Sequence, residues 1–257
     1  MARVLLPLPD RGFDVTEVAV PWYLLRSAGH KVVFCTERGD VTPSADVLLV
    51  TGAVPAPLRA RPQPCAFYRE LERDDAYQAP TSWHDVDPAD YDGLLLPGGH
   101  APPVRQYLES ECVQRHTTTF FALGRPVGAI CHGALVAARS RDPSTHQSVL
   151  YERTTTCLIK YQEWSGWAMT FWKYGRYYRT YSRYVEDEVR AALRYPDRQF
   201  KTGPLTLTAR DSETDSRPAF VEVDGAYVSA RWPGDAYTFT RRFQDLLESR
   251  ARSSQDP

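Results

Sequence analysis

Gly124-Arg125-Pro126-Val127-Gly128-Ala129-Ile130-Cys131-His132-Gly133 decides the reading of the whole chain. A Gly-Arg-Pro turn leads into Val127 to Ile130, a short apolar run of strand length, and Gly133 to Arg139 (GALVAAR) has the composition of a helix that begins at once. Cys131 therefore stands at a strand-to-helix bend. Such a bend tolerates little bulk on either side, which accounts for the small flanking residues, and it exposes the sulfur as a nucleophile elbow does. The helix N-terminus favours a thiolate and offers backbone N–H groups to a developing oxyanion. The competing reading is a small buried cysteine that merely ends a strand.

Upstream, Tyr91-Asp92-Gly93-Leu94-Leu95-Leu96-Pro97-Gly98-Gly99 is a continuous apolar run closed by a Gly-Gly turn, the pattern of a mid-sheet strand buried on both faces. Val104 to Leu123 reads as one helix between these two strands. At the N-terminus Val4-Leu5-Leu6 is a first strand, and Pro21 to Gly29 is a helix with Pro21 as its first residue and Gly29 at its end. Lys31 to Cys35 is a second strand, and Asp46 to Val50 a short strand or a helix start. Pro55 to Pro88 is proline-rich, with a helix-like patch at Phe67 to Leu71, and reads as a covering loop. The sum is α/β: one doubly wound, flavodoxin-like domain over 1–250, mainly parallel, with helices on both faces and a flexible tail at 251–257.

The composition narrows the function. In 257 residues, 31 basic against 32 acidic side chains leave a net charge of −1, which removes the bulk electrostatic case for nucleic acid or an anionic membrane as partner. Five cysteines (Cys35, Cys65, Cys112, Cys131, Cys157) with no CxxC pair indicate neither a disulfide framework nor a structural zinc site. No stretch approaches a membrane span or a signal-peptide core, so a cytoplasmic protein with reduced thiols is expected. No cofactor is indicated: Gly98-Gly99 opens neither a GxGxxG nor a P-loop motif. No metal is expected either, because His84, His100, His116, His132 and His146 lack helical HxxxH spacing and paired carboxylates.

The stretch Tyr161 to Tyr184 carries ten aromatic residues, and Trp164, Trp167, Phe171, Tyr174 and Tyr178 follow helical spacing, so they would share one face. That face either packs on the sheet or on a partner subunit, which leaves a homodimer open, or forms an aromatic wall over a small-molecule pocket with Tyr161 and Trp164 touching substrate. His100, after the Gly-Gly turn, is placed at the pocket rim. Glu17, three residues after Asp14, has the spacing of a capping box.

Three segments, Thr16 to Val32, Asp90 to His100 and Gly124 to Gly133, together resemble the ThiJ/PfpI superfamily, relatives of class I glutamine amidotransferase domains, in order and spacing. Thr154 to Trp164, Val185 to Leu193 and Tyr227 to Ala236 look like the C-terminal elements of the branch with heat-shock chaperone and glyoxalase III-type members. The resemblance implies Cys131 as nucleophile with His132 beside it and Glu17 as the acid that approaches the thiol. It further implies Gly99, with Gly98, and the His132 amide as the oxyanion hole. In branches where the histidine acts, a later acid orients it, and Glu163 is the matching candidate, although Lys160 departs from the small polar residue usual there. Three functions compete: a small-molecule hydratase, lyase or hydrolase attacking a carbonyl-like or nitrile-like carbon through Cys131; a redox-sensing or chaperone-like stress protein in which Cys131 is oxidised; and a non-catalytic binding module.

Overall fold

The computed structural model describes residues 1–206 and 208–253. In chain order the elements are β1 (Arg3–Pro7), β2 (Arg11–Phe13), α1 (Val15–Ser27), β3 (Lys31–Thr36), β4 (Ser44–Ala45), α2 (Val47–Thr51), α3 (Pro62–Leu71), α4 (Asp75–Gln78), β5 (Thr81–Ser82) and β6 (Gly93–Leu96). They continue with α5 (Arg105–Leu108), α6 (Glu111–Ala122), β7 (Val127–Ile130), α7 (Gly133–Arg139), α8 (Lys160–Ala168), α9 (Phe171–Tyr174), α10 (Val185–Ala191), α11 (Pro196–Gln199), β8 (Val221–Asp224), β9 (Tyr227–Ala230) and α12 (Ala236–Ser253). Seven strands form the central sheet in the order β5-β3-β1-β6-β7-β9-β8, parallel throughout except for β8 against β9. β2 and β4 pair separately.

β6 and β7 are buried along their whole length, which is why their sequence is continuous rather than alternating. Their glycines make room for the last helix: a methyl built on Gly93 would stand 2.8 Å from Phe243, and one on Gly128 2.8 Å from Phe239. α1, α3 and α12 pack together on one side of the sheet, and α6, α7 and α10 on the other.

Several expectations are corrected. α1 begins at Val15, capped by the Asp14 carboxylate, so Pro21 lies inside the helix rather than at its start. Proline there forfeits one backbone hydrogen bond, and the burial of Val15, Val18, Ala19 and Trp22 outweighs the loss. Asp46 caps α2, which decides the open choice there for a helix. The expected helix over 104–123 is broken at Glu109-Ser110, where Ser110 caps α6. The segment 55–88 is not a bare loop: it carries α3, α4 and the edge strand β5. In the tail, residues 251–253 continue α12, and 254–257 lie outside the described residues.

Candidate active site

Ladder geometry puts Cys131 at the carboxyl edge of the sheet. Its N–H bonds the Ala230 carbonyl at 3.1 Å, prolonging the pairing of β7 with β9 by one residue before the chain turns. The turn holds Cys131 at φ 58°, left-handed backbone that a non-glycine residue rarely adopts. A side chain at Gly133 would collide with the Leu96 carbonyl oxygen, and a methyl at Gly98 would lie 2.7 Å from the His132 nitrogen. The ends of β6 and β7 are thus pressed together, and only small residues permit it. Elbows of this kind strain one residue to present its side chain.

Glu17 reaches the elbow from the first turn of α1. Asp14 accepts from the Thr16 and Glu17 amides at 2.8 and 3.3 Å, but the Glu17 side chain does not close a capping box. Its Oε2 instead accepts from the Gly98 amide at 2.7 Å, its buried Oε1 has no hydrogen-bond partner among the described residues, and the carboxyl lies beside the Cys131 thiol. Burial, then the neighbouring Asp14 charge, raise the proton affinity of Glu17 well above that of a free carboxyl. Burial, then the Glu17 and Asp14 carboxylates, do the same to the Cys131 thiol. Two acids sealed together cannot both ionise, so each holds its proton against the charge of the other.

The sulfur is accordingly not exposed as the elbow pattern implies. Cys131 is 0% exposed, and desolvation outweighs the helix-terminus field that favours a thiolate. The oxyanion donors also shift. The Gly98 amide is engaged by Glu17, whereas the Gly99 N–H makes no hydrogen bond among the described residues and the His132 N–H faces the sulfur.

The His132 Nδ1 lies 3.6 Å from the Cys131 sulfur, and its buried Nε2 has no hydrogen-bond partner among the described residues. Burial, then His100, Arg139 and Arg179, lower its proton affinity and keep the ring neutral. Glu163 does not orient it: Glu163 Oε1 accepts from Arg179 at 2.7 Å and Oε2 from the Val185 amide at 2.9 Å. Both oxygens are used in tying α8 to the turn before α10. Burial still lifts the Glu163 carboxyl to about 7.

His100 stands edge-on to His132 at 4.6 Å between ring centres, and burial lowers it to about 4. Ligand atoms of His100, Cys131 and His132 lie within 4.8 Å of one another, a convergence that sequence spacing does not reveal because His100 comes from a different strand end. Neutral imidazoles and a thiol suit a soft or borderline cation in kind. Beside His100 is a cavity of about 50 Å³ lined also by Asp14, Gln162, Tyr178, Arg210 and Trp232. Tyr161 and Trp164 do not reach it. They are 39% and 48% exposed, and the same helix turns Gln162, Ser165 and Gly166 to the cavity instead. The aromatic stripe is not one face, because Met169-Thr170 ends α8 and Gly175, at φ 58°, ends α9. Tyr178 alone of the stripe is buried at the cavity, its hydroxyl donating to Asp46 at 3.0 Å. Arg210 lies in a segment without a recognisable motif, and Trp232 in the stretch Tyr227 to Ala236, whose resemblance assigns it no role, which is why the sequence does not point to them.

The family model described as ThiJ/PfpI family-like matches residues 8–204. The chain belongs to the ThiJ/PfpI superfamily. Among its relatives, the deglycase PfpI of Pyrococcus furiosus is 24% identical over 245 residues, spanning 95% of this chain and 99% of the relative. Protein DJ-1 homolog D of Arabidopsis thaliana is 32% identical over 62% of this chain and 37% of the relative. The fold is shared with glyoxalase III of Candida albicans, at TM-score 0.67 and 19% identity, covering 95% of this chain and 97% of that one. Among the described residues, no helix of this superfamily member is long and apolar enough to cross a membrane.

Proposed function

We propose that the protein is a cysteine-dependent enzyme acting on small reactive carbonyl compounds, in the manner that the names of its deglycase and glyoxalase III relatives suggest. The observation that carries this reading is Glu17 placed against the Cys131 thiol, with the His132 N–H turned to the sulfur and the Gly99 N–H unengaged among the described residues. As the sulfur adds to the carbonyl carbon, its proton passes to Glu17 in the molecules whose buried carboxyl is ionised, a form that burial makes scarcer but more basic. The carbonyl π pair moves onto oxygen, which the Gly99 and His132 N–H groups receive. The hemithioacetal so formed is the shared first step of several outcomes. For a 2-oxoaldehyde, moving the aldehyde hydrogen to the neighbouring carbon gives a 2-hydroxy thioester, and water then releases the 2-hydroxy acid and restores the thiol. His132, neutral and 3.6 Å from the sulfur through Nδ1, is the group placed to accept and return that hydrogen as a proton.

The test is turnover of methylglyoxal, followed as lactate, by wild type and by Cys131→Ser in parallel. The serine hydroxyl is almost wholly protonated at neutral pH, so the rate should fall by about 10³-fold or more. Activity kept by the serine variant would place the chemistry elsewhere.

A further inference from the structure

One charged group at the cavity takes no part in the steps above. Arg210 lines the cavity beside His100 and also a second one, of about 250 Å³, bordered by Arg61, Asp211 and Tyr237, so its side chain forms part of the wall between them. One of its five N–H donors reaches the Pro57 carbonyl at 3.0 Å, and its guanidinium lies 4.8 Å from the Trp232 ring centre. No carboxylate among the described residues forms an ion pair with it. The acids nearby are otherwise committed: Asp14 caps α1, Glu17 is held by Gly98, and Asp211 accepts from the Tyr237 and Thr238 amides at 3.4 and 2.7 Å. The charges that act on Arg210 are Asp14 first, then Arg61 on the far side, a second positive charge, and then Glu17 and Asp211.

A guanidinium in a cavity wall with most of its donors unmatched among the described residues is shaped to receive a planar, two-oxygen anion. We propose that Arg210 is an anion subsite and that the compound attacked by Cys131 is a small carbonyl compound carrying a carboxylate or a phosphate. The anionic end lies against Arg210, where the larger cavity and Arg61 accommodate the bulkier phosphate, and the carbonyl end extends through the 50 Å³ cavity to His100, whose ring meets that of His132 beside the thiol; Cys131 itself lines neither cavity. The proposal rests on Cys131 as the nucleophile, and it adds charge as the feature that selects among carbonyl compounds.

Two matched pairs test it by thermal shift and calorimetry: pyruvate against hydroxyacetone, and dihydroxyacetone phosphate against dihydroxyacetone. Each anion should bind wild type about tenfold or more tightly than its uncharged counterpart, the contribution of a charge-assisted contact. Arg210→Met should abolish the preference, and Cys131→Ser should retain it. Arg210→Lys, which keeps the charge but loses the fork, should lose most of the preference for pyruvate; it serves as the readout if the methionine variant does not fold. The two pairs also separate the sources, since only the phosphate arm should weaken in Arg61→Met. Equal binding of anion and counterpart by wild type, or a preference that survives in Arg210→Met, would overturn the subsite. A subsite that behaves as expected in an enzyme that turns over no carbonyl compound would instead remove the nucleophile reading and leave Arg210 as a plain anion receptor.

Discussion

Cys131 combines a backbone conformation that costs energy with a thiol that burial keeps protonated, and both follow from the small residues around it. Gly133→Ala should lower stability by about 3 kcal/mol in urea unfolding, since the added methyl meets backbone and not a side chain that can swing away. An unchanged midpoint would mean the elbow is looser than its geometry. Burial also reverses the labelling order that the elbow alone suggests. Cys65 is the half-exposed cysteine and the other four are buried, so iodoacetamide at neutral pH should modify Cys65 before Cys131. Peptide mapping after limited alkylation reads this directly. Glu17→Gln removes a charge that holds the thiol up, so the pH midpoint of Cys131 alkylation should move to lower pH while the Gly98 contact is kept by the amide oxygen. An unmoved midpoint would reduce Glu17 to a structural contact.

At the scale of elements, Glu163 fastens α8 to the turn before α10 through an ion pair with Arg179, by side chains that are 1% and 10% exposed, and to the start of α10 through the Val185 amide. Removing one partner strands the other, so Glu163→Ala should cost about 3 kcal/mol, with Glu163→Gln milder because it still accepts from Val185. Methylglyoxal turnover per folded molecule should change little in Glu163→Gln, a result an acid that orients His132 would not allow. The same contact shows where sequence reading ends. β6 and β7 are legible because an uninterrupted apolar run closed by glycine has one cheap solution, a strand buried on both faces. α1 is harder: Pro21 imitates a helix start, and the true one depends on an Asp14 carboxylate whose role shows only in its bonds to Thr16 and Glu17. Glu163 and Arg179 are sixteen residues apart, and nothing in their spacing announces that they meet. Arg210 comes to the cavity from a segment without periodicity at all. Motifs reveal what a strand end carries, and tertiary packing alone reveals what is brought to face it.

For the molecule as a whole, buried acids set the pH response. Burial lifts Asp211 and Glu163 to about 7 and Asp14 to about 6, and raises Glu17 as well. A carboxyl that binds its proton more tightly when folded stabilises the fold below its unfolded pKa and loses that contribution as pH rises through the folded value. Half-buried His100 and buried His132 act oppositely, but only below about 6.5, where the unfolded imidazole takes up a proton. Between about pH 6.5 and 8 the acids therefore act alone, and the melting temperature should fall as pH rises. Asp211→Asn should flatten that slope; a wild-type profile that climbs across the window would contradict the burial. The bond from the Cys131 amide to the Ala230 carbonyl has a further consequence, for the order of events at the ribosome. Synthesis runs from the N-terminus, so the cysteine emerges about a hundred residues before the strand that completes its turn. Until β9 has followed, the edge of β7 that carries the elbow lacks its second neighbour, and the nascent chain holds a less protected thiol through the interval. The sulfur that the finished protein keeps from solvent is most vulnerable to oxidants while the protein is being made.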